Sequence, residues 1–446
     1  MSATADIRGS SPSSIATSAR AIAALMPAVI ISYSGLIDPL INFDLASGEH
    51  FGGVVLGGES KNKTLTRIII PVFLLVALAL AAYARPNIPR RLRILVLPAL
   101  ILLSVAFLSA LWGRGPMRTL TLASYQLFLF TSLLIFTAVA ADPKRILQYV
   151  LLAFALITAA NLATVILRPP GPIGHQGIYE YKNTLGAAGG CAFLFGFFHL
   201  FQGRLFWRAT ALFTTLGAIV ITLASESKTA LALMITAPAL ATGIYLFSRL
   251  LALGPILAGA LLLALTGTAI VAVCAMVGAS LDDVLLATYG DTTFTGRTGV
   301  WEFAYDYVRQ SPLLGNGYRT FWELGSASPK HRSEVEFIRT IGSAHNGYLD
   351  ITLSVGLVGL FFLLVFALTA FSIAGRADLQ PPHRSLLYLA VIIFILGRNI
   401  MESVLLWSTF FDNLCFLLAG FLACYRDVPP NRLVVRRFGA QDGVVA

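Results

Sequence analysis

Charge is what this sequence has least of. Only 12% of its 446 residues are Asp, Glu, Lys or Arg, roughly half the share of an ordinary soluble domain. The deficit runs the whole length, so no large water-soluble domain stands apart. Cysteine is as scarce. Cys191, Cys274, Cys415 and Cys424 each sit in or beside an apolar run, without the CxxC or Cys/His spacing of a disulfide framework or metal site. Such thiols behave as small hydrophobes. Motifs for nucleotide and hydrolytic chemistry are missing too. There is no GxxxxGK[ST] loop, no HExxH and no GxSxG, and Asp282 and Asp283 are adjacent rather than spaced. These absences exclude the nucleotide hydrolases, zinc peptidases and serine hydrolases that rest on such motifs. The short alternating segments of a membrane barrel do not occur. Nor is a cleavable leader expected: residues 1–20 form a Ser/Ala-rich polar lead, and the apolar run behind it lacks a small-residue cleavage site.

What the chain has instead is apolar length. It is 57% hydrophobic, with a mean hydropathy of +0.78. Helical runs of about 17–25 apolar residues cross a bilayer. About twelve such runs are expected, near 21–40, 68–84, 94–112, 119–140, 147–167, 184–201, 209–224, 229–248, 252–279, 347–373, 386–397 and 403–424. The fold class is therefore an all-α polytopic membrane protein with about 12 transmembrane helices. The expected organisation is an N-terminal tail (1–20), one membrane domain (21–424), a large insertion within it (280–346) and a basic C-terminal tail (425–446).

The net charge of +10 could suggest nucleic acid, but its distribution argues against that partner. Basic clusters fall in alternate short connectors: "RPNIPRRLR" (85–93), "DPKR" (142–145), "GRLFWR" (203–208), Arg376 with Arg384, and the C-terminal tail. That order predicts both termini in the cytoplasm and the 280–346 insertion on the outer side. The insertion is too long for a plain connector. In it, "RTGVWEFAYDYVRQSP" puts Val300, Trp301, Ala304, Tyr305 and Val308 on one helical face, and Pro312 stops the helix. "SEVEFIRTIG" carries a capping box, Ser333 with Glu336, and Gly342 is a C-terminal stop. Two short amphipathic helices are expected, the second delivering the chain to His345.

Polar groups gather on the same predicted side. They are His175, Tyr179, Glu180, Lys182 and Asn183 in "GPIGHQGIYEYKNTLG", Glu226 and Lys228 in "ASESKTALAL", Arg297 in "FTGRTGVW", His345 and Asn346 in "SAHNGY", and Arg398 and Glu402 in "GRNIMES". Lys228 or Arg398 alone could be an interfacial anchor that snorkels, and His175 or Glu180 alone a solvated loop residue. Together they outline a basic outward pocket suited to an anionic lipid head group. Arginine matches phosphate through its planar fork, and an imidazole takes a proton near neutral pH.

"GIYEYKNTLG", "SESKTALAL", "TGRTGVWEFA", "SPLLGNGYRTFW" and "SAHNGYLDITLSVGLVGL", in that order, resemble the O-antigen ligase and polymerase superfamily, most of all its exopolysaccharide polymerases. The resemblance covers roughly residues 170–400 and implies a GT-C-like glycosyltransferase of the bacterial inner membrane, facing the periplasm. The implied reaction transfers glycan from undecaprenyl diphosphate to an acceptor glycan, inverting the anomeric centre with no metal or other cofactor. Implied partners are the undecaprenyl-diphosphate-linked oligosaccharide, the acceptor, membrane lipid, and a chain-length regulator or export proteins. By the family's pattern Lys228 and Arg297 bind the diphosphate, and His345 is the catalytic base beside Arg297. Lysine at 228 keeps the charge of the family's usual arginine but lacks its fork, which puts the geometry of that contact in doubt. Asn346, Lys182, His175 and Arg398 are secondary substrate contacts. Tyr305, Tyr318, Phe321 and Trp322 either stack on sugars or pack the loop. Two alternatives remain: an O-antigen ligase with a lipid A–core acceptor, and a flippase for lipid-linked glycan.

Overall fold

In hydrocarbon every backbone N–H and C=O must find a partner within the protein, and a helix satisfies them internally. The apolar runs accordingly fold as helices in a computed structural model that describes residues 12–41, 63–278, 280, 283, 297–376, 378–406 and 411–426. The start of the N-terminal lead, Asp282 and the tail beyond residue 426 lie outside the described residues. The helices are α1 (Pro12–Ser32, continued by a π-helical turn to Ile37 and on to Ile41), α2 (Lys63–Ala84), α3 (Arg90–Leu108), α4 (Pro116–Ala140), α5 (Pro143–Leu167), α6 (Lys182–Phe197), α7 (Leu205–Ala224), α8 (Lys228–Leu250), α9 (Pro255–Val277), α10 (Arg297–Gln310), α11 (Glu336–Thr340), α12 (Gly347–Ala374), α13 (Pro382–Met401) and α14 (Phe411–Ala423).

Among the described residues, ten helices of 20 to 28 residues are long and apolar enough to cross a membrane. The protein is a multi-pass membrane protein, and its fold is all-α. The sixth and twelfth expected spans are helices of only 16 and 13 residues. The twelfth is shorter than the expected 403–424 because Asn399 Oδ1 accepts the amides of Val404 and Leu405 (3.2 and 3.1 Å), turning Ser403–Leu406 away from helix. Helix starts are written locally. Pro116, Pro143, Pro255 and Pro382 stand in the first turns of α4, α5, α9 and α13, where their missing N–H costs nothing. Asp142 caps α5 by accepting Arg145 N at 3.0 Å.

α13 lies at the centre, with 67% of its apolar window buried, whereas α9 sits at the periphery with only 6%. The small residues of α6 let it pack closely on α7. A Cβ added to Gly189 would lie 2.0 Å from Thr222 Oγ1.

α12 is broken at Gly356, whose φ of 70° is left-handed. The turn after α10 fills the break. Leu357 N and Val358 N donate to Pro312 O and Leu313 O, while Asn316 N and Gly317 N donate to Leu353 O and Ser354 O. Groups freed by the broken helix are thus re-paired by loop backbone. Contact is so close that a Cβ on Gly356 would lie 2.0 Å from Leu313 O.

The helical reading of 297–310 holds, with one difference. Val300, Ala304 and Val308 are buried, but Tyr305 turns outward. The second helix is a single turn, and its capping box does not form. Ser333 Oγ accepts Val335 N instead, and its carbonyl is taken by Arg339 Nε at 2.6 Å.

Candidate functional site

One end of the bundle collects the α3–α4, α5–α6, α7–α8 and α13–α14 junctions together with the 297–346 region. Tyr318 N donates to Ser109 Oγ at 2.9 Å, and Arg118 Nη2 bonds Glu323 Oε2 at 2.5 Å. His175 N donates to Ala224 O at 2.9 Å. Every polar residue singled out from the sequence lies at this end.

Glu402 organises it. The residue ends α13, where its own N–H is held by Arg398 O at 2.8 Å and its carbonyl accepts Gly347 N at 3.2 Å. Its Oε1 accepts from Arg297 Nη2 at 2.9 Å and Asn183 Nδ2 at 2.7 Å. Its Oε2 lies 3.3 Å from His345 Nδ1. Arg297 Nη1 also donates to Met401 O. Burial by itself would raise the Glu402 carboxyl. The His345 hydrogen bond and the charges of His345, Arg297 and Arg398 outweigh it and hold the group below its ordinary value. A carboxylate only accepts, so Nδ1 is the donor of this pair and Nε2 is the ring nitrogen left for another partner. His345 is a third exposed, against 15% for Arg297 and 17% for Glu402. A half-open imidazole oriented in this way can receive a proton.

The segment around His345 is rigidly built. His345 adopts a left-handed φ of 49°, and buried Asp350 anchors the residue before it. That carboxylate accepts Ala344 N (3.0 and 3.1 Å), Trp322 Nε1 (2.7 Å) and Ser403 Oγ. Asn346 caps α12, its Oδ1 accepting Tyr348 N and Leu349 N, both at 3.1 Å. Its amide oxygen is therefore engaged by backbone.

The remaining residues lie at the same end of the bundle. Arg398 is enclosed, its Nη1 paired with Asp412 and its Nη2 on Asn183 O at 3.2 Å. It holds the α6 start against α13 and α14. Lys182 opens α6 beside Asn183, and Lys228 opens α8. α6 links the two, because Gly186 packs so tightly that an added Cβ would lie 2.6 Å from Ser227 Cβ. His175 rests over the α7–α8 turn, where Gly174 approaches the Ser225 carbonyl. Tyr318, Phe321 and Trp322 are buried packing residues, while Tyr305 is 53% exposed. Among the described residues, no group of three or more His, Cys, Asp or Glu side chains could hold a metal ion.

Sequence reasoning placed Glu402 and Asn183 among the polar groups but not at the centre, and it missed Asp350 and Asp412. The available signal was an acid beside or inside an apolar span, in "GYLDITL" and "FFDNLC".

An all-α multi-pass bundle with an imidazole, a guanidinium and a carboxylate joined at one end defines the class of membrane protein to which comparison applies. Residues 210–364, which include Lys228, Arg297 and His345, match the O-antigen ligase family. The exopolysaccharide production protein ExoQ of Rhizobium meliloti (strain 1021) is 30% identical over 207 residues, covering 45% of this chain and 47% of ExoQ. The match thus spans about half the length of that relative. The two findings bear out the resemblance to the O-antigen ligase/polymerase superfamily.

Proposed function

We propose that the protein is a polysaccharide polymerase that joins lipid-linked repeat units, with the site end facing the periplasm of a bacterial inner membrane. The observation that carries this reading is the shared carboxylate: Glu402 holds Arg297 and His345 side by side. An acceptor hydroxyl oxygen attacks the anomeric carbon from the face opposite the diphosphate. The bond from that carbon to the diphosphate oxygen breaks, and its electron pair leaves with undecaprenyl diphosphate. The hydroxyl proton passes to His345 Nε2. Arg297 and Lys228 offset the charge that builds on the leaving group, a stabilisation that needs no metal. Arg398 acts through Asn183, and Lys182 and His175 line the approach.

The alternative within the same chemistry is an O-antigen ligase. The printed name of the ExoQ relative, an exopolysaccharide production protein, favours a polymerase. A flippase would place its polar groups near mid-membrane, whereas here they gather at one end.

The test is purified protein with lipid-linked repeat units as sole substrate and a chelator present. Chain growth is expected. Transfer that begins only when a core lipid is added would replace polymerase by ligase. His345→Ala and Arg297→Ala should each lower the rate by about a hundredfold or more while leaving the protein inserted and folded. Near-normal product from both removes the site.

A further inference from the structure

An open groove of about 740 Å³ runs between α10 and α12, lined on the α12 side from Asn346 to Leu360. Trp301, Glu302, Tyr305 and Asp306 form one wall, and Asn346 and Thr352 belong to the other. Its volume lies within the range of small-ligand sites. Asn346 in its lining is next in sequence to His345.

The lining narrows the choice of occupant. Glu302 and Asp306 against the single cation Arg309, which pairs with Asp306 at 3.8 Å, leave the wall net negative and disfavour a diphosphate, and charge on an exposed wall disfavours a lipid tail. A chain of neutral polyol rings fits both, since hydroxyls donate to carboxylates and the apolar faces of the rings stack on aromatics. Tyr305 supplies such a face. It is 53% exposed, whereas Tyr318, Phe321 and Trp322 of the same region are 1%, 2% and 6% exposed. The Arg309 guanidinium stacks over the ring at 4.9 Å, and both side chains line the groove. Trp301 lines the groove too, and its Nε1 donates to Ala344 O at 3.0 Å, which ties the wall to the segment that carries His345.

We propose that this groove binds the sugar chain of the acceptor and delivers its terminal hydroxyl to His345. The inference rests on the transferase reading above and adds to it the place of the acceptor.

Two measurements test it on the full chain in proteoliposomes. The probe is the oligosaccharide freed from its lipid by mild acid treatment of the host's lipid-linked fraction. Equilibrium dialysis without donor should show binding to wild type that weakens about tenfold in Tyr305→Ala and survives in Tyr305→Phe. Glu302→Gln with Asp306→Asn should weaken it as well. In the presence of lipid-linked donor, Tyr305→Ala should raise the acceptor KM by a similar factor, with kcat within about twofold and the donor dependence unchanged. Equal binding by wild type and Tyr305→Ala overturns the groove assignment, and so does a shift in donor KM instead of acceptor KM. If wild type binds the oligosaccharide yet makes no longer product from donor, the transferase reading fails, and the delivery step falls with it.

Discussion

At the scale of single residues, one carboxylate decides what its neighbours can do. Glu402 pairs with Arg297, orients the His345 ring through Nδ1 and holds Asn183 at the mouth of α6. Substituting glutamine keeps the shape but removes the charge that orients the ring and offsets the guanidinium. Glu402→Gln is therefore expected to lower the rate of chain growth by about a hundredfold or more while leaving the amount of inserted protein close to wild type, as immunoblotting of membranes would measure. A rate within a few-fold of wild type would show that His345 does not depend on this partner. The basic residues were legible in the sequence because their charge stands out against apolar flanks. The acid between them was not, since one carboxylate near several cations looks like ordinary interfacial pairing until the distances are known.

Between elements, the structure turns on how the region after α10 docks. Its turn completes the broken α12, and its far side is held by Arg118 and Arg319 on Glu323. Gly356→Ala would force a Cβ against Leu313 O in a left-handed backbone. A loss of about 1–3 kcal/mol is expected, visible as a lower midpoint of thermal unfolding in detergent and as faster proteolysis of the 312–346 region. The Glu323 dock carries a pH dependence. Burial alone would raise that carboxyl, but the charges of Arg319 and Arg118 and the hydrogen bond from Arg118 hold it below its ordinary 4.5. A depressed folded-state pKa means stability that is fully present above the ordinary value and lost as pH falls through the lowered one. Acidification from pH 7 to about 3 should thus cost wild type more thermal stability than Glu323→Gln. Parallel curves for the two proteins would deny the dock its electrostatic part. Sequence patterns found α10 and its stop at Pro312, because the 3.6-residue period and proline act locally. They overstated the second loop helix and missed the break in α12, because both outcomes depend on hydrogen bonds offered by distant backbone.

For the whole molecule, the arrangement predicts a sidedness. Tyr181 is 63% exposed at the site end, and Leu251 is 52% exposed at the opposite end of α8. In a background lacking the native cysteines, a membrane-impermeant maleimide should label Tyr181→Cys in cells with a permeabilised outer membrane. Leu251→Cys should be labelled only after the inner membrane is opened. Reversed labelling would put the cluster in the cytoplasm and rule out a periplasmic reaction.

The sequence by itself determined that the chain crosses a membrane many times as helices, roughly where each run begins, and which cationic and imidazole residues stand out from apolar surroundings. Hydrophobic length, proline position and charge scarcity act over one turn or one span, so they are written in consecutive residues. Only the tertiary structure decided that Arg297, Asn183 and His345 meet on Glu402, that Tyr305 faces a groove while its aromatic neighbours are buried, and that loop backbone mends α12 at Gly356. These outcomes come from groups separated by up to 219 positions in the chain, as with Asn183 and Glu402. Their pairing energy exists only once the bundle has folded and excluded water from between them.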